Sequence, residues 1–462
     1  MKKHFDTIII GAGVSGPIIA QELSSQGQSV LILEAGKFHI AENFPRYEID
    51  ATSSLYWGGG MEPNHDASLA MIRPKVVGGG SIINGGLLDE FDDLAFDWFK
   101  QKSGLSFFNS KDFSPLYKKV QDNITINKIP SKFANKNAHI FKQGLKNKSL
   151  GFSNLSRGQT NCEYEKGNSC IECLSGCPIN SKQSTMTTYL RQALKQGVKI
   201  FTEFNVNKII PGDIHLVCGQ NKLGEKINFS CEKLVFAGGS IGNTKILYRS
   251  GLKDFLPALG ENFYSHPQYM VLGIFNELIN SYEGPLQTYK SDDQFFRHEG
   301  FKLENVFAPP VAISLLLPKI GKELMDKMSQ ITHMACIEVA IRDTTPGKIS
   351  VNNNGKIKIR KNLNAEDQYR KKKGHNLIQE IFQEAGAKEI IQGEIGIGLH
   401  LMGGLGIGIN ESTSVVNEDF QIHGLKNIFV GDSSLFPTAP GINPSLTVMA
   451  LAHKCAEAVI RS

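Results

Sequence analysis

The sequence contains no apolar run long enough to span a bilayer, no internal repeats and no low-complexity tracts. A transmembrane helix needs about 20 consecutive apolar residues, so none is expected. Lys2 and Lys3 precede an apolar run directly, and no signal-peptide cleavage site follows. These absences predict one compact body and a soluble, cytoplasmic protein.

A strong charge imbalance is also missing, because the formal net charge is only +5 over 462 residues. The densest basic run, YRKKKGH from Tyr369, has no interleaved aromatic residues and lies in a helical pattern. It is typical of a solvated helix face, so no nucleic-acid partner is expected. A hydrophobic content of 41% over this length suffices for two sizeable cores and favours a two-domain enzyme.

The N-terminal segment HFDTIIIGAGVSGPIIAQELSSQGQSVLILEAG has the pattern of a dinucleotide site. It gives an apolar strand, a GxGxxG turn with Gly11, Gly13 and Gly16, an amphipathic helix, a second strand and a terminal acid, Glu34. Gly11 permits a tight turn, Gly13 lets the backbone approach a pyrophosphate, and Gly16 permits close helix packing. Glu34 can accept both ribose hydroxyls, which favours FAD or NAD over NADP.

A second glycine loop, RPKVVGGGSIINGG, favours a long cofactor. Gly78, Gly79, Gly80 and Ser81 expose backbone there, and Asn84 adds a polar side chain three residues later. One cofactor held by two glycine loops is expected to be FAD rather than NAD.

The C-terminal stretch places polar residues beside a strand and a helix start. NIFVGD predicts a buried strand ending at Asp432, whose carboxylate either accepts ribose or ribityl hydroxyls or caps a turn. PSLTVMALAHKCAEAVI predicts a helix that opens with Pro444, directly after Asn443. The positive end of that helix suits the edge of a flavin that becomes anionic on reduction.

These blocks resemble the glucose/methanol/choline (GMC) family of FAD-dependent alcohol-oxidising enzymes. The resemblance includes KLVFAGGSIGNTKILYRSG from Lys233, LGENFYSHP from Leu259 and LHLMGGLGIG from Leu399, all in family order, and is closest to the cholesterol oxidase and long-chain alcohol oxidase branches. It implies oxidation of an alcohol to an aldehyde or ketone, with hydride transfer to flavin N5. Covalently flavinylated members have a histidine where this chain has Asn84, so non-covalent FAD is implied.

The resemblance also assigns site residues. His400 matches the active-site base, and Asn443 matches a partner that is histidine in some members and asparagine in others. Val206 matches the position whose backbone meets adenine. Histidine suits the proton transfer because its pKa lies near working pH, and Asn443 can donate a hydrogen bond to a forming alkoxide.

The eight cysteines fall into two groups. Cys218, Cys231, Cys336 and Cys455 are scattered in apolar contexts, as buried thiols are. Cys162, Cys170, Cys173 and Cys177 cluster with CxxC and CxxxCP spacings, which leaves three interpretations open. We expect these cysteines to have a structural role and therefore expect no metal. Ligation of an iron–sulfur cluster or of zinc is the alternative.

The predicted fold class is α/β, with a discontinuous FAD-binding Rossmann-like domain and a substrate domain built on an antiparallel sheet. We expect the FAD domain at 1–100, 190–262 and 395–462, a cysteine-containing cap at 101–189 and the substrate domain at 263–394. QYMVLGIF, VAISLLLP, HMACIEVAI and the pair KISVNNNGKIKIR predict strands of a sheet that roofs the flavin.

The aliphatic residues of these roof strands favour a bulky, apolar alcohol, because a sugar site would need more converging polar groups. Reoxidation is expected by O2 or by another electron acceptor. Two alternatives use the same fold without alcohol oxidation, namely a non-redox lyase and a flavin-binding protein that has lost its chemistry.

Overall fold

The computed structural model describes residues 3–164, 172–352 and 354–462. Its strands, in chain order, are β1 His4–Ile10, β2 Val30–Leu33, β3 Glu62–Pro63, β4 Leu69–Met71, β5 Ile126–Lys128, β6 Phe152–Asn154, β7 Ser156–Gly158, β8 Lys199–Phe201, β9 Phe204–Ile210, β10 His215–Asn221, β11 Lys226–Phe236, β12 Phe263–Ile274, β13 Tyr289–Ser291, β14 Phe301–Asn305, β15 Met334–Ile341, β16 Lys348–Val351, β17 Ile357–Arg360, β18 Glu389–Gln392, β19 Gly396–Gly403 and β20 Ile428–Val430.

The α-helices are α1 Gly16–Ser25, α2 Glu48–Leu55, α3 Gly80–Ile83, α4 Asp93–Ser103, α5 Ser110–Gln121, α6 Lys136–Asn147, α7 Arg191–Lys195, α8 Gly239–Arg249, α9 Gln294–Glu299, α10 Pro310–Leu316, α11 Gly321–Met328, α12 Ala365–Glu384 and α13 Ser445–Arg461. None of the helices in the described ranges is long and apolar enough to cross a membrane.

The first sheet, here called the floor sheet, has seven strands in the order β8-β2-β1-β11-β10-β9, with β20 also paired to β11. Strands β8, β2, β1, β11 and β20 run parallel, whereas β9 and β10 are antiparallel additions. Parallel strands bring their carboxyl ends to one edge, so the loops after β1, β2, β11 and β20 meet there. Helices α1 and α13 pack against each other beside this sheet.

The second sheet, here called the roof sheet, has nine strands in the order β3-β4-β19-β12-β15-β14-β13-β6, with β18 also paired to β12. Its pairs are antiparallel except for β4 with β19. Helix α12 packs against β12, β14 and β15. The chain thus has the mixed α/β fold expected from its sequence, with one largely parallel and one largely antiparallel sheet.

Several elements differ from the sequence-based expectation. β19 pairs with β12 in the roof sheet rather than joining the floor, although the predicted boundary at 394/395 assigned it to the FAD domain. β16 and β17 form the expected hairpin, but as a separate two-stranded sheet. Pro444 occupies the N-cap, so α13 starts at Ser445, one residue later than predicted.

The prediction of a strand at VAISLLLP is wrong, because this segment forms helix α10. Pro310 lies in its first turn, where the fixed φ of proline is preorganised for a helix. The two oxygens of Glu48 accept hydrogen bonds from the N–H groups of Val311 and Ala312 at 2.7 and 2.8 Å. This helix cap comes from a distant part of the chain, so local sequence could not reveal it.

Candidate active site

The first glycine loop joins β1 to α1, and its glycines have different neighbours. A Cβ on Gly11 would lie 2.3 Å from the Ala237 carbonyl oxygen, and one on Gly16 would lie 2.0 Å from the Gly11 carbonyl oxygen. These two glycines are therefore required by packing within the protein. A Cβ on Gly13 would meet only the Ala237 oxygen, at 3.9 Å, so the backbone of Gly13 is open toward the adjacent cavity.

Glu34 follows β2, and its carboxylate accepts hydrogen bonds from the first glycine loop and from the turn after β2. Its Oε2 accepts the Ala12 N–H at 2.7 Å, and its Oε1 accepts the Gly36 N–H at 2.6 Å. Burial raises the pKa of this carboxyl, and the backbone hydrogen bonds partly oppose that shift. The carboxylate lines the cavity while it is anchored by backbone donors.

The second glycine loop packs directly on the first. The Gly78 N–H donates to the Ala12 carbonyl oxygen at 2.6 Å, and a Cβ on Gly79 would lie 2.7 Å from the Gly13 Cα. Ser81 Oγ donates to the Gly78 carbonyl oxygen at 2.6 Å. Gly78 and Ser81 thus shape the loop, whereas Gly79 lines the cavity with its neighbour Gly80.

Lys182 ties the cysteine segment to this loop, a role that the sequence did not reveal. Its Nζ donates to the carbonyl oxygens of Asn84 at 2.9 Å and Cys173 at 2.6 Å, and also to that of Ile82. The side chain is buried, so these carbonyl oxygens replace water around its ammonium group. The only sequence signal was a lysine and serine after the cysteine cluster.

Of the clustered cysteines, Cys170 lies outside the described residues, so the predicted four-cysteine set is not tested. Hydrogen bonding from Cys173 lowers the pKa of the Cys177 thiol to about 5, against an opposing effect of burial. Among the described residues, no group of three or more histidine, cysteine, aspartate or glutamate side chains is arranged to hold a metal ion.

Asp432 follows β20, and the structure shows it as the cap of a turn, one of the two roles that the sequence left open. Its Oδ2 accepts hydrogen bonds from the Gly239 N–H at 2.7 Å and from Asn243 Nδ2 at 2.9 Å. Its Oδ1 accepts the Ser434 N–H at 2.9 Å, which makes it the cap of a 3-10 turn. The buried carboxylate also lines the cavity, with its pKa raised by burial.

His400 lies in a bulge of β19. Tyr264 pairs with Met402 and His266 with Leu399, so His400 and Leu401 lie opposite one residue of β12. The φ angle of His400 is +54°, a left-handed conformation that is rare for a residue with a side chain. Burial, and then the charge of Lys302, lower the pKa of His400 to about 3, so the imidazole is neutral at working pH.

His266 contacts His400 and sets its preferred proton position. The two Nδ1 atoms lie 3.0 Å apart, and His266 Nε2 accepts the Gly441 N–H at 3.0 Å. Burial and the neighbouring His400 hold the pKa of His266 well below its usual range. Neutral His266 therefore carries its proton on Nδ1 and donates to His400, so neutral His400 carries its proton on Nε2. LGENFYSHP contained this histidine, but nothing in that run paired it with His400.

Asn443 lies just before α13 and is oriented by a roof lysine. Its Oδ1 accepts a hydrogen bond from Lys302 Nζ at 2.8 Å, so its Nδ2 is directed elsewhere. Lys302 also forms an ion pair with Glu304 at 2.7 Å. Lys302 and Glu304 were both missed by sequence reasoning, because they lie more than 130 residues before Asn443.

One cavity of about 470 Å³ connects the floor and the roof. Val206 of β9 and His400 of β19 both line it. Of the predicted site residues, Gly16, Gly78 and Ser81 do not line it, and the others do: Gly11, Gly13, Glu34, Gly79, Gly80, Asn84, Val206, His400, Asp432, Asn443 and Pro444.

The roof side of the cavity is not the aliphatic surface expected from the sequence. Gln268, Glu304 and Glu338 line it together with apolar residues such as Met270 and Val306. Successive residues of a strand point to opposite faces, so a largely aliphatic run can still present polar groups on one face. The sequence pattern did not reveal these polar groups because it averages both faces, and the apolar substrate stays a prediction.

Comparisons with known proteins identify the family and the fold of this chain. Two family models, both described as GMC oxidoreductase, match residues 52–268 and 326–452. An uncharacterised GMC-type oxidoreductase of Mycobacterium tuberculosis is 24% identical over 490 residues, covering 98% of this chain and 76% of that protein. A long-chain-alcohol oxidase of Arabidopsis thaliana is 25% identical, covering 98% and 68%. The crystal structure of pyridoxine 4-oxidase from Mesorbium loti superposes with a TM-score of 0.74 at 14% identity, covering 98% of each chain.

Proposed function

The chain belongs to the GMC oxidoreductase family and is an FAD-dependent enzyme, and from this premise we propose that it oxidises an alcohol to an aldehyde or ketone, with His400 and Asn443 on the alcohol oxygen. The observation that carries the proposal is the cavity that joins both glycine loops, Glu34 and Asp432 to this His/Asn pair. When bound, FAD supplies the acceptor for the hydride that leaves the alcohol carbon.

The residues of the floor fit a long dinucleotide. No protein atom lies within 3.5 Å of the position that a Cβ on Gly13 would take, so the protein itself does not require glycine there. Gly13 lines the cavity, and a ligand that approaches its backbone would explain why the residue is glycine. Glu34 and Asp432 are carboxylates at two carboxyl ends of the floor sheet, where they can accept ribose and ribityl hydroxyls. Val206 lines the same cavity and is proposed to meet the adenine, and the N-terminus of α13 brings a partial positive charge to the cavity wall.

Non-covalent binding of FAD is part of this proposal. Asn84 lines the cavity, and by resemblance it takes the place of the histidine used by covalently flavinylated members of the family. An amide does not form the imidazole linkage that such proteins use. Acid precipitation of the purified protein should therefore release the flavin into the supernatant.

The proposed task of His400 is to accept the hydroxyl proton at Nε2. In the hydrogen-bonded pair of neutral His266 and His400, His400 Nε2 carries a proton. His400 must therefore first change tautomer, so that its proton lies on Nδ1 and Nε2 is free to accept. This change places the His266 N–H against the Gly441 N–H and costs about 1–3 kcal/mol, the usual penalty for losing a buried hydrogen bond. The penalty is small beside a chemical barrier, and movement of the Gly441 segment on substrate binding would remove it.

The proposed task of Asn443 is to donate from Nδ2 to the same oxygen. Lys302 holds Oδ1 at 2.8 Å and thereby fixes which end of the amide faces the alcohol. A donor that is oriented before the reaction stabilises developing negative charge without reorganisation. His400 and Asn443 then act on one oxygen from different elements of the fold.

The substrate is proposed to have an apolar body. Met270, Leu286, Val306 and Phe307 line the same cavity as the His/Asn pair. One of the relatives named above is a long-chain-alcohol oxidase, which is consistent with such a substrate. The electron acceptor in the second half of the reaction is proposed to be O2 or another oxidant.

The test is anaerobic reduction of the enzyme-bound flavin by a panel of primary and secondary alcohols. We expect the wild-type flavin band to bleach, and His400→Ala to slow bleaching by about 10³-fold while flavin content stays the same. The exposed His298→Ala serves as the matched control and should reduce at the wild-type rate. Equal rates in His400→Ala and the wild type would contradict the role of His400, and no bleaching with any alcohol would contradict the function.

A further inference from the structure

The roof sheet carries a polar group of four side chains on the side that faces the cavity, here called the polar shelf: Gln268, Lys302, Glu304 and Glu338. Strand register brings them together. Glu304 of β14 pairs with Glu338 of β15, and Ala340 of β15 pairs with Lys302 on one side and with Gln268 of β12 on the other. Glu304, Glu338 and Gln268 line the cavity and are each at least 96% buried.

The two glutamates of the shelf have unequal partners. Glu304 has an ion pair with Lys302 Nζ at 2.7 Å and accepts a hydrogen bond from Gln287 Nε2 at 3.0 Å. Glu338 has no cation of its own, and its Oε1 has no hydrogen-bond partner among the described residues. A buried oxygen without a partner costs about 1–3 kcal/mol, so a ligand that donates to it would bind favourably.

Gln268 adds an amide at the same place. Its side chain is 4% exposed and lines the cavity. Its strand, β12, pairs with β15, which carries Glu338. A buried carboxyl oxygen without a partner and a cavity-lining amide on adjacent strands indicate a ligand with polar atoms at that end.

The charge of the shelf indicates which polar group fits. One cation, Lys302, faces two carboxyl groups, so the shelf is neutral only when Glu338 keeps its proton. An ammonium group that entered the shelf could take the place of that proton and leave the total charge unchanged. A neutral hydroxyl could donate to Oε1 of Glu338 without releasing the proton.

We propose that the substrate is an alcohol with a second hydrogen-bond donor, an ammonium group in the best case, which the polar shelf binds through Glu338 and Gln268 while the reacting hydroxyl lies at His400 and Asn443. The inference rests on the proposed function for the identity of the reacting group. It adds a recognition site at the roof that selects one end of the molecule.

The titration of Glu338 supports this assignment. Burial, and then the charge and hydrogen bond of Glu304, raise the pKa of Glu338 well above its usual range, and Lys302 opposes the shift. Glu304 and Lys302 face it from β14, and Cys336 lies on its own strand. A raised pKa favours the protonated carboxyl, so binding of an ammonium group that displaces this proton becomes tighter as pH rises toward the pKa of the amine.

The first experiment compares substrates of matched length on the holoenzyme: ω-amino alcohols, α,ω-diols and simple n-alkanols. We expect kcat/KM to be about tenfold or more higher for the amino alcohols than for the n-alkanols, with diols between them. The amino alcohols should also gain from rising pH, whereas the n-alkanols should not. Equal or better turnover of the n-alkanols would overturn the proposal.

The second experiment uses n-alkylamines, which carry no hydroxyl and therefore report the shelf alone. Calorimetry in two buffers of different ionisation enthalpy measures proton release on binding to the holoenzyme. We expect release with the wild type, loss of release with Glu338→Gln, and unchanged release with the exposed control Glu411→Gln. Absence of proton release in the wild type would also overturn the proposal, whether or not the variants fold.

These measurements separate the two hypotheses. If amines bind with proton release but no alcohol bleaches the flavin, the shelf stands and the proposed function fails. If n-alkanols bleach the flavin and the second donor gives no advantage, the function stands and the shelf fails. Flavin content and melting temperature of Glu338→Gln check that its loss of selectivity is not a loss of fold.

Discussion

The floor and the roof of the cavity are built in different ways. The floor presents backbone, since two glycine loops and the start of α13 form its surface and Glu34 and Asp432 are fixed by backbone N–H groups. The roof presents side chains, since Gln268 and the two glutamates of the shelf project from neighbouring strands. A backbone surface suits a cofactor that never changes, whereas a side-chain surface can be altered residue by residue to suit a substrate.

The comparison predicts different kinds of failure on the two sides. Substitutions in the floor should act on folding or on cofactor affinity. Substitutions in the roof and in the His/Asn pair should act on rate, selectivity or pH dependence while the cofactor stays bound. The following substitutions test this difference. A floor substitution that changed only the rate, or a roof substitution that lost the cofactor, would weaken the comparison.

The largest effect is expected for Gly11→Ala. The new Cβ would lie 2.3 Å from the Ala237 carbonyl oxygen, at a φ of +108°, so backbone must move. We expect the free energy of unfolding of the apoprotein to fall by about 3 kcal/mol or more, with loss of FAD binding. Urea unfolding measures this, with Gly406→Ala as the control, because a Cβ there meets nothing within 4 Å. An apoprotein of wild-type stability would show that the loop is not fixed from within.

Asn443→Ala tests the second kind of substitution, which should change the rate while the cofactor stays bound. Loss of the Nδ2 donor should slow flavin reduction by about 10²-fold, because one preorganised donor to a developing oxyanion contributes about that much. Asn443→Asp keeps an oxygen for Lys302 but has no N–H, so it should be equally slow. A fast Asp variant would mean that the residue serves only to hold Lys302. Flavin content should be normal in both variants.

Gly13→Ala sharpens the comparison within the floor itself. The protein leaves room for this Cβ, so the melting temperature of the apoprotein should not fall. The methyl group should instead keep the pyrophosphate from the backbone and weaken FAD binding by about tenfold. Equilibrium titration of the apoprotein with FAD measures the affinity, again with Gly406→Ala as control. Unchanged affinity would remove the argument that Gly13 faces the cofactor.

The smallest effect is the shift in pH dependence expected for Lys302→Met, which is measured apart from any loss of rate through its bond to Asn443. Burial and Lys302 lower the pKa of His400 to about 3, so the wild-type rate of flavin reduction should not lose His400 to protonation above about pH 4. A base is active when neutral, so its activity is lost as pH falls through its pKa. Removal of the positive charge raises that pKa, and the acidic limb should move to higher pH. Lys302→Arg keeps the charge and should keep the wild-type profile.

The sequence revealed the floor well because its elements are contiguous. Gly11, Gly13, Gly16 and Glu34 belong to one strand–turn–helix–strand unit, so their spacing alone predicted where they meet. The spacing could not say that Gly16 serves packing alone while Gly13 faces the cavity. That distinction depends on Ala237 and Gly11 oxygens whose positions only the folded chain defines.

The sequence predicted the roof less well, because the residues that meet there come from separate parts of the chain. HMACIEVAI contains a single glutamate among apolar residues, and its partner Glu304 lies on a different strand 34 residues away. Only the register of β14 on β15 puts the two carboxyl groups together. Likewise, His266 and His400 lie in separate motifs, and the bulge in β19 that brings them into contact has no local signature.

The left-handed backbone of His400 also bears on how the protein could be stabilised. A side chain in this conformation costs about 1–2 kcal/mol, which glycine would not incur. His400→Gly should therefore melt at a higher temperature than His400→Ala, although both remove the imidazole. An engineer who selected this enzyme for heat resistance alone would be drawn to a position where the gain removes the proposed base, so a consensus or stability-guided library needs to hold residue 400 fixed.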